Sequence, residues 1–142
     1  MSLTEKLAQR PVVTVAPDAL VAEAVALLQR HHIGALPVVD KDRSLAGILS
    51  ERDIVRALAD PSWQDGLVKR PVSDLMTVAV ITCQTGDSAS SLMEQMTSHR
   101  IRHIPIMQAN RLVGMVSIGD VVNRMIEKYQ AESEQMRDYI NS

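Results

Sequence analysis

The chain has 142 residues, of which 46% are hydrophobic and 23% charged, so it can form one compact unit but not two independent enzyme domains. Its formal net charge of −2 provides no cationic field to attract a nucleic-acid backbone. Aromatic residues make up 2% of the chain, so stacking surfaces for single strands are scarce as well. We therefore expect no nucleic-acid partner.

The sequence also indicates a compartment. No segment has the length and hydropathy of a signal peptide or a membrane span. The single cysteine, Cys83, cannot form an internal disulfide, which fits a reducing environment. We expect a cytoplasmic protein without a membrane partner, and we interpret Cys83 as a small core residue.

The first predicted elements are a strand, a helix and a hairpin. Residues 11–15 form a β-branched run, Asp18 can cap the following helix, and apolar residues continue at helical spacing to Leu28. Residues 36–39 and 45–49 flank a polar turn, which predicts two hairpin strands. A second helix is expected after Ser50, so this unit has the order β-α-β-β-α.

An internal repeat gives the second half the same order. IGALPVV at residues 33–39 is echoed by IRHIPIM at 101–107, and GILSERD at 47–53 by GMVSIGD at 114–120. The second copy predicts strands at 80–82, 103–107 and 112–117 and helices at 87–99 and from 118 onward. A turn-rich connector at 60–66 and a helical lead-in at 70–76 separate the copies. Because one copy is too small to bury its apolar faces, we expect both to share a core.

The last predicted element is a long helix over residues 120–141, without Pro or Gly. Several of its apolar residues lie near one face: Met125, Tyr129, Met136 and Ile140. This helix is longer than one small module needs, so we expect part of it to pack on a second subunit. The alternative is a solvated end.

Candidate binding residues lie where each hairpin ends and the next helix begins. Ser50 precedes Asp53 by three positions, and Ser117 precedes Asp120 in the same way. One interpretation is a capping box that only stabilises the helix start. The other is a nucleotide site, in which the helix start and the serine hold a phosphate while the carboxylate accepts hydrogen bonds from ribose hydroxyls.

Together these features resemble a known family. The doubled pattern of Pro-Val or Pro-Ile, a polar turn and Gly-x-x-Ser-x-x-Asp, with PVSDLMT at 71–77, is similar to the cystathionine β-synthase (CBS) domain pair, or Bateman module. The resemblance implies an α/β (α+β) fold of two tandem β-α-β-β-α repeats packed about a pseudo-twofold axis. It places repeat 1 at 8–62, a connector with a lead-in helix at 63–76, repeat 2 at 77–128 and a helical extension at 129–142.

The same resemblance implies a function. Clefts between such repeats bind adenosine-containing ligands such as AMP, ADP, ATP, NAD(H) or S-adenosylmethionine, and the modules commonly dimerise. We therefore expect a non-catalytic regulatory module that senses energy or redox state, forms a homodimer and acts on an unknown partner protein. Two alternatives stay open: a purely structural homodimerisation module, and a nucleotide hydrolase with His103 as its base.

Transferred residue by residue, the resemblance implies two sites. The main site comprises Val12, Ile33, Gly34, Ala35, Arg102, His103, Ser117, Ile118, Gly119 and Asp120. The second comprises Ser50, Glu51, Arg52, Asp53, Val80 and Ile101, with residues 102 and 103 also beside its adenine. We expect tighter phosphate binding at the main site, through Arg102 and His103. No metal site is expected, because His99 and His103 fall on a helix end and a strand.

Overall fold

The computed structural model describes residues 1–63 and 65–141, which form two tandem repeats of helices and strands. The first half contains α1 (Leu3–Ala8), α2 (Val21–His31), β1 (Ala35–Val39), β2 (Leu45–Ser50) and α3 (Glu51–Ala59). Short 3₁₀ helices follow at Pro61–Trp63, Leu67–Lys69 and Val72–Asp74. The second half contains β3 (Cys83–Gln84), α4 (Ala89–His99), β4 (His103–Gln108), β5 (Arg111–Ser117) and α5 (Ile118–Asn141). The expected mixed class and tandem order are confirmed.

Each repeat is built on an antiparallel hairpin. β1 pairs with β2, placing Val38 opposite Gly47, and β4 pairs with β5, placing Ile106 opposite Gly114. Both ladders shift register immediately after these pairs. The duplication seen in the sequence therefore extends to the irregularities of the backbone.

The two predicted leading strands differ from the prediction. In place of a strand over residues 11–15, only Val15 makes a parallel bridge, to Val38. In place of a strand over 80–82, the pairing with β4 begins at Cys83. Pro11 has no N–H to donate to a sheet, and the amide of Val80 donates locally to the carbonyl of Val78. The β-branched composition thus predicted extended backbone correctly but not its partners.

The predicted cap of the first long helix is also wrong. Leu20, not Asp18, occupies the N-cap position of α2. The amide of Val21 instead donates to the carbonyl of Arg70 at 2.9 Å, and the amide of Val72 donates to the carbonyl of Ala19 at 2.7 Å. Backbone from the connector therefore satisfies the helix start, which removes the need for a side-chain cap.

The lead-in segment of each repeat packs on the other repeat. Helix α1, which no sequence signal predicted, packs on β5 and α5 of the second repeat, where Leu7 is buried. The fully buried Thr4 accepts a hydrogen bond from the amide of Gly86 at 2.8 Å. Conversely, Thr77 exchanges backbone hydrogen bonds with Ile48 of β2 at 2.9 and 3.0 Å. This reciprocal arrangement is the one expected of two repeats related by a pseudo-twofold axis.

The expectation that the two repeats share one core is wrong. Among the described residues, buried apolar side chains form separate clusters, one in each repeat and a smaller one at the connector. Val72 and Met76 complete the cluster of repeat 1, while Leu3 and Leu7 complete that of repeat 2. Cys83 is buried in the repeat 2 cluster, as predicted. Each small repeat therefore gains apolar volume from its partner's lead-in segment rather than from facing sheets.

Helix α5 forms as predicted and exposes much of its apolar face. It is a 24-residue helix whose only buried residue is Val121, near its start. Tyr129 is 72% exposed and Ile140 is 75% exposed. None of the helices within residues 1–63 and 65–141 combines the length and hydropathy required to cross a membrane.

Two glycines allow the lead-in segments to approach the hairpins. A Cβ at Gly47 would lie 2.8 Å from the carbonyl oxygen of Thr77 and 2.8 Å from Sδ of Met76. A Cβ at the equivalent Gly114 would lie 3.2 Å from the carbonyl oxygen of Leu7. The backbone oxygen cannot turn away as a flexible side chain can, so a side chain at position 47 would push the lead-in outward.

We expect Gly47→Ala to lower the free energy of unfolding by about 1–3 kcal/mol, the usual cost of overpacking. Urea denaturation measures the change. Gly119→Ala is the matched control, because its Cβ would meet only Ser117 Oγ, at an ordinary 3.7 Å. Equal stability of the Gly47→Ala variant and the wild-type chain would show that the contact at β2 does not constrain the fold.

Candidate functional site

Two clefts lie between segments drawn from both repeats. The first, the Asp120 cleft, has a volume of about 350 Å³. From the predicted main site it gathers Val12, Ile33, Gly34, Ala35, His103, Ser117 and Asp120. Its other walls include Arg10, Pro11 and His32.

The second, the Asp53 cleft, is larger, at about 790 Å³. It brings together all six residues predicted for the second site: Ser50, Glu51, Arg52, Asp53, Val80 and Ile101. Thr77, Arg56, Arg100 and Arg102 complete much of the wall. Several of these residues have counterparts in the Asp120 cleft through the internal repeat: Ser50, Asp53, Val80 and Ile101 correspond to Ser117, Asp120, Val12 and Ile33. The two clefts are therefore built largely from equivalent segments.

Three predicted main-site residues lie elsewhere. Arg102 lines the Asp53 cleft and not the Asp120 cleft. The described first turn of α5 places Ile118 and Gly119 outside the walls of both clefts. The amide of Ile118 donates to the carbonyl of Arg102 at 2.8 Å, so this pair is joined through the backbone. Arg102 and His103 were also expected beside the second site, and this is where the structure places Arg102.

The capping boxes and the proposed ribose acceptors use the same residues. Ser50 Oγ accepts from the amide of Asp53 at 3.2 Å, and Asp53 Oδ2 accepts from the amide of Ser50 at 2.9 Å. Ser117 and Asp120 repeat these contacts at 3.2 and 2.9 Å. Because each cap uses Oδ2 of its aspartate, Oδ1 takes no part in the cap. The cap instead holds the carboxylate in a defined orientation at the cleft.

Asp53 Oδ1 already meets a hydroxyl. Thr77 Oγ1 donates to it at 3.3 Å, a long contact for two oxygens. Thr77 comes from the lead-in of repeat 2, so the exchange of lead-in segments brings a hydroxyl to the carboxylate of repeat 1. A ligand hydroxyl could replace this weak bond without disturbing the cap.

The equivalent contact at Asp120 is an ion pair that the sequence did not indicate. Arg10 Nη2 lies 3.2 Å from Asp120 Oδ2. Burial opposes ionisation of this carboxyl, but the hydrogen bonds from Ser117 and Arg10 outweigh burial and hold its pKa below the ordinary value. The sequence did contain one indication of this contact. Arg10 lies two residues before Val12, and Val12 was predicted to flank the ligand.

The arginines are distributed unequally between the two clefts. Four arginines line the Asp53 cleft, at positions 52, 56, 100 and 102, against the carboxylates of Glu51 and Asp53. Arg52 Nη1 donates to the carbonyl of Arg100 at 3.1 Å, which fixes one guanidinium across the opening. The Asp120 cleft has one arginine, Arg10, already paired with its carboxylate. Arginine side chains therefore concentrate at the Asp53 cleft, whereas Arg102 was expected to bind phosphate at the main site.

Comparisons with known proteins agree with this architecture. A family model described as CBS domain matches residues 5–60 and 72–127. The chain belongs to the CBS domain family. It is 36% identical over 127 residues to the mitochondrial CBS domain-containing protein CBSX3 of Arabidopsis thaliana, covering 87% of this chain and 61% of that protein. This CBS pair thus spans less than two thirds of that relative's length.

Solved structures show the same fold. A CBS-domain containing protein from Agrobacterium tumefaciens, ATU1752, superposes with a TM-score of 0.79 at 40% identity, covering 88% of this chain and 99% of that one. The CBS domain pair of protein MJ0100, in complex with 5′-methylthioadenosine and S-adenosyl-L-methionine, gives 0.78 at 27% identity, covering 90% and 98%. The family resemblance and the tandem-repeat fold predicted from the sequence are confirmed.

Substituting Asp120 in this CBS pair tests the partly buried cap. We expect Asp120→Asn to lower the free energy of unfolding at pH 7 by about 1 kcal/mol, because the charged acceptor at the helix start is lost. The folded-state pKa is lowered, so the carboxylate stabilises the fold above its ordinary pKa and loses this effect as the pH falls through the lowered value.

The difference between variant and wild type should therefore shrink below about pH 4. Urea denaturation across the acid range measures it, with Asp138→Asn in the exposed part of α5 as the control. A difference that is independent of pH would show that the charge of Asp120 has no role in the cap.

Proposed function

We propose that this CBS pair is a non-catalytic regulatory module that binds an adenine nucleotide in the Asp53 cleft. The observation that carries the proposal is the combination of a capped carboxylate with four arginines in one cleft. The complex of the MJ0100 CBS pair with two adenosine derivatives supports the ligand class. Ligand sites are commonly clefts between structural units in which a few placed polar groups fix the ligand.

Each part of a nucleotide has a matching wall. Asp53 Oδ1 would accept from ribose hydroxyls in place of Thr77. Backbone at Val80 and Ile101 would flank adenine, as the sequence predicted. Arg102 and its neighbouring guanidinium groups would bind phosphate, because planar guanidinium groups form charge-assisted and often bidentate hydrogen bonds with it. AMP, ATP and NAD(H) share these features, while S-adenosylmethionine would forgo the phosphate contacts.

Occupancy would be signalled through shape. The Asp53 cleft combines α3 of repeat 1 with residues 77–81 and 99–103 of repeat 2. A ligand there would therefore fix one repeat relative to the other. A partner protein could then read energy or redox state through the nucleotide bound. A cytoplasmic location fits the single cysteine, Cys83, which has no second cysteine in the chain with which to form a disulfide.

Homodimerisation is the second part of the proposal. Val55 on α3 is 63% exposed and Leu58 is 56% exposed. Helix α5 adds Met125 and Ile126, which are also exposed. These side chains also favour the alternative of a structural dimerisation module that binds no ligand. Nucleotide binding separates the two, and product formation would indicate the hydrolase alternative.

Calorimetry with AMP and adenosine tests the Asp53 cleft. We expect Arg102→Ala to weaken AMP binding by about 10- to 100-fold, because one charged hydrogen bond contributes roughly 1.5–3 kcal/mol. Adenosine should bind this variant almost as it binds wild type, since it lacks the phosphate. Asp53→Ala should weaken both ligands, because both carry the ribose.

Arg137→Ala, on the exposed part of α5, is the charge-matched control and should leave both affinities unchanged. If Asp120→Ala removed the tight site and Asp53→Ala left it intact, the assignment to the Asp53 cleft would be wrong. Absence of binding by any of AMP, ATP, NADH and S-adenosylmethionine would favour the structural alternative.

Light scattering tests the dimer. We expect a mass near twice the 15.6 kDa of one chain for the wild type. The double variant Val55→Glu, Leu58→Glu would place two carboxylates in the interface, where they would lose their hydration. Its measured mass should therefore approach the 15.6 kDa of one chain. Val68→Glu, at another exposed apolar position, is the control. A wild-type chain that stays monomeric at high concentration would contradict the proposal.

A further inference from the structure

One thin partition separates the two clefts. Gly34, Ala35 and His103 are the residues that line both of them, and we call this set the partition. A Cβ at Gly34 would lie only 3.1 Å from Cε1 and 3.4 Å from Nε2 of His103. The imidazole therefore packs directly on the glycine, with one cleft on each side.

Carboxylates approach the partition from opposite repeats. Glu51 Oε2 lies 3.8 Å from the same Cβ position at Gly34, so Glu51 and His103 converge above that glycine. On the other side, His103 is paired in the β ladder with Ser117, whose hydroxyl donates to Asp120 at 2.9 Å. The other titratable or charged groups around His103 are Arg10 and His32 in the Asp120 cleft, and Arg52, Asp53, Arg56, His99, Arg100 and Arg102 in the Asp53 cleft.

Burial of the imidazole lowers the pKa of His103, while Glu51 and Asp120 act in the opposite direction and Arg102 adds to the lowering. The neutral ring is therefore the resting form at neutral pH. An additional anion beside the ring would favour the imidazolium.

We propose that His103 couples the two clefts through its proton. The phosphate of a ligand in the Asp53 cleft favours uptake of one proton from solvent by the imidazole, and no bond of the ligand changes. The imidazolium then adds a cation to the wall of the Asp120 cleft, where Arg10 is already paired. Phosphate in either cleft favours the same protonated state, so binding at one cleft strengthens binding at the other.

This inference rests on the proposed nucleotide site, and it adds the claim that AMP binding takes up a proton. A rigid nucleotide site of fixed charge would take up no proton on binding AMP, and would only release the proton of the AMP phosphate, whose second pKa is about 6. A site next to a titrating imidazole must take up protons on binding, and its affinity must fall as the pH rises through the pKa of the bound state. Proton uptake therefore reports the coupling separately from affinity.

The experiment is calorimetry of AMP binding to the full chain from pH 6 to 8, in buffers of different ionisation enthalpy. We expect a fraction of one proton to be taken up per AMP near neutral pH, and little uptake by His103→Gln. His31→Gln is the matched control, because this exposed histidine lines neither cleft. It should retain the uptake of wild type.

The binding isotherm supplies a second readout. Wild type should show positive coupling of about fivefold or more between the clefts, within the usual range for linked sites. His103→Gln should show two independent sites. Glu51→Gln, which leaves the packing of the ring on Gly34 in place, should shift maximal proton uptake to lower pH, because it removes a carboxylate that favours the imidazolium.

The outcomes separate the two proposals. AMP binding without proton uptake, or with uptake lost in His31→Gln and kept in His103→Gln, would overturn the coupling and leave the nucleotide site standing. Uptake that is insensitive to Glu51→Gln would also overturn it, even if His103→Gln failed to fold. Absence of AMP binding to wild type would refute both.

Discussion

The structure depends on the close approach of each lead-in segment to the hairpin of the other repeat. Thr77 and Ile48 exchange two backbone hydrogen bonds over Gly47, and α1 lies against Gly114 in the equivalent place. These contacts satisfy backbone groups and supply apolar side chains to repeats too small to bury their own. Separate clusters of buried side chains can then form in a chain of this length, joined by exchanged segments.

The same exchange builds the clefts. In each cleft, a carboxylate at the start of a helix in one repeat faces residues of the other repeat that precede its strands. Neither repeat therefore forms a whole cleft by itself. It also makes the two clefts unequal. The lead-in that reaches Asp120 brings Arg10, which forms an ion pair, while the one that reaches Asp53 brings Thr77, which forms a long hydroxyl contact. Equivalent backbone therefore presents different chemistry.

The capping boxes use one oxygen of each aspartate and leave the other outside the cap. Asp53 and Asp120 each use Oδ2 to bind the preceding serine. A carboxylate held in this way has already lost its conformational freedom, so a ligand would not have to order it. The capping and ligand interpretations were alternatives in the sequence, but they are compatible in the structure because the two oxygens of a carboxylate can have different partners.

The sequence by itself determined the duplication, the hairpins, the helices after Ser50 and Ser117, and the pairing of Ser with Asp at each helix start, because these follow from local periodicity and short spacings. The resemblance to the CBS family, carried by these motifs, implied the six residues that gather around Asp53. Only the tertiary structure decided that α1 completes the second repeat, that connector backbone replaces Asp18 at the start of α2, and that Arg10 reaches Asp120. It also decided that Arg102, which was expected beside both sites, lines the Asp53 cleft and not the Asp120 cleft. Each of these depends on a contact between residues distant in the chain, and no local pattern specifies which distant group will satisfy a given donor, carboxylate or apolar face.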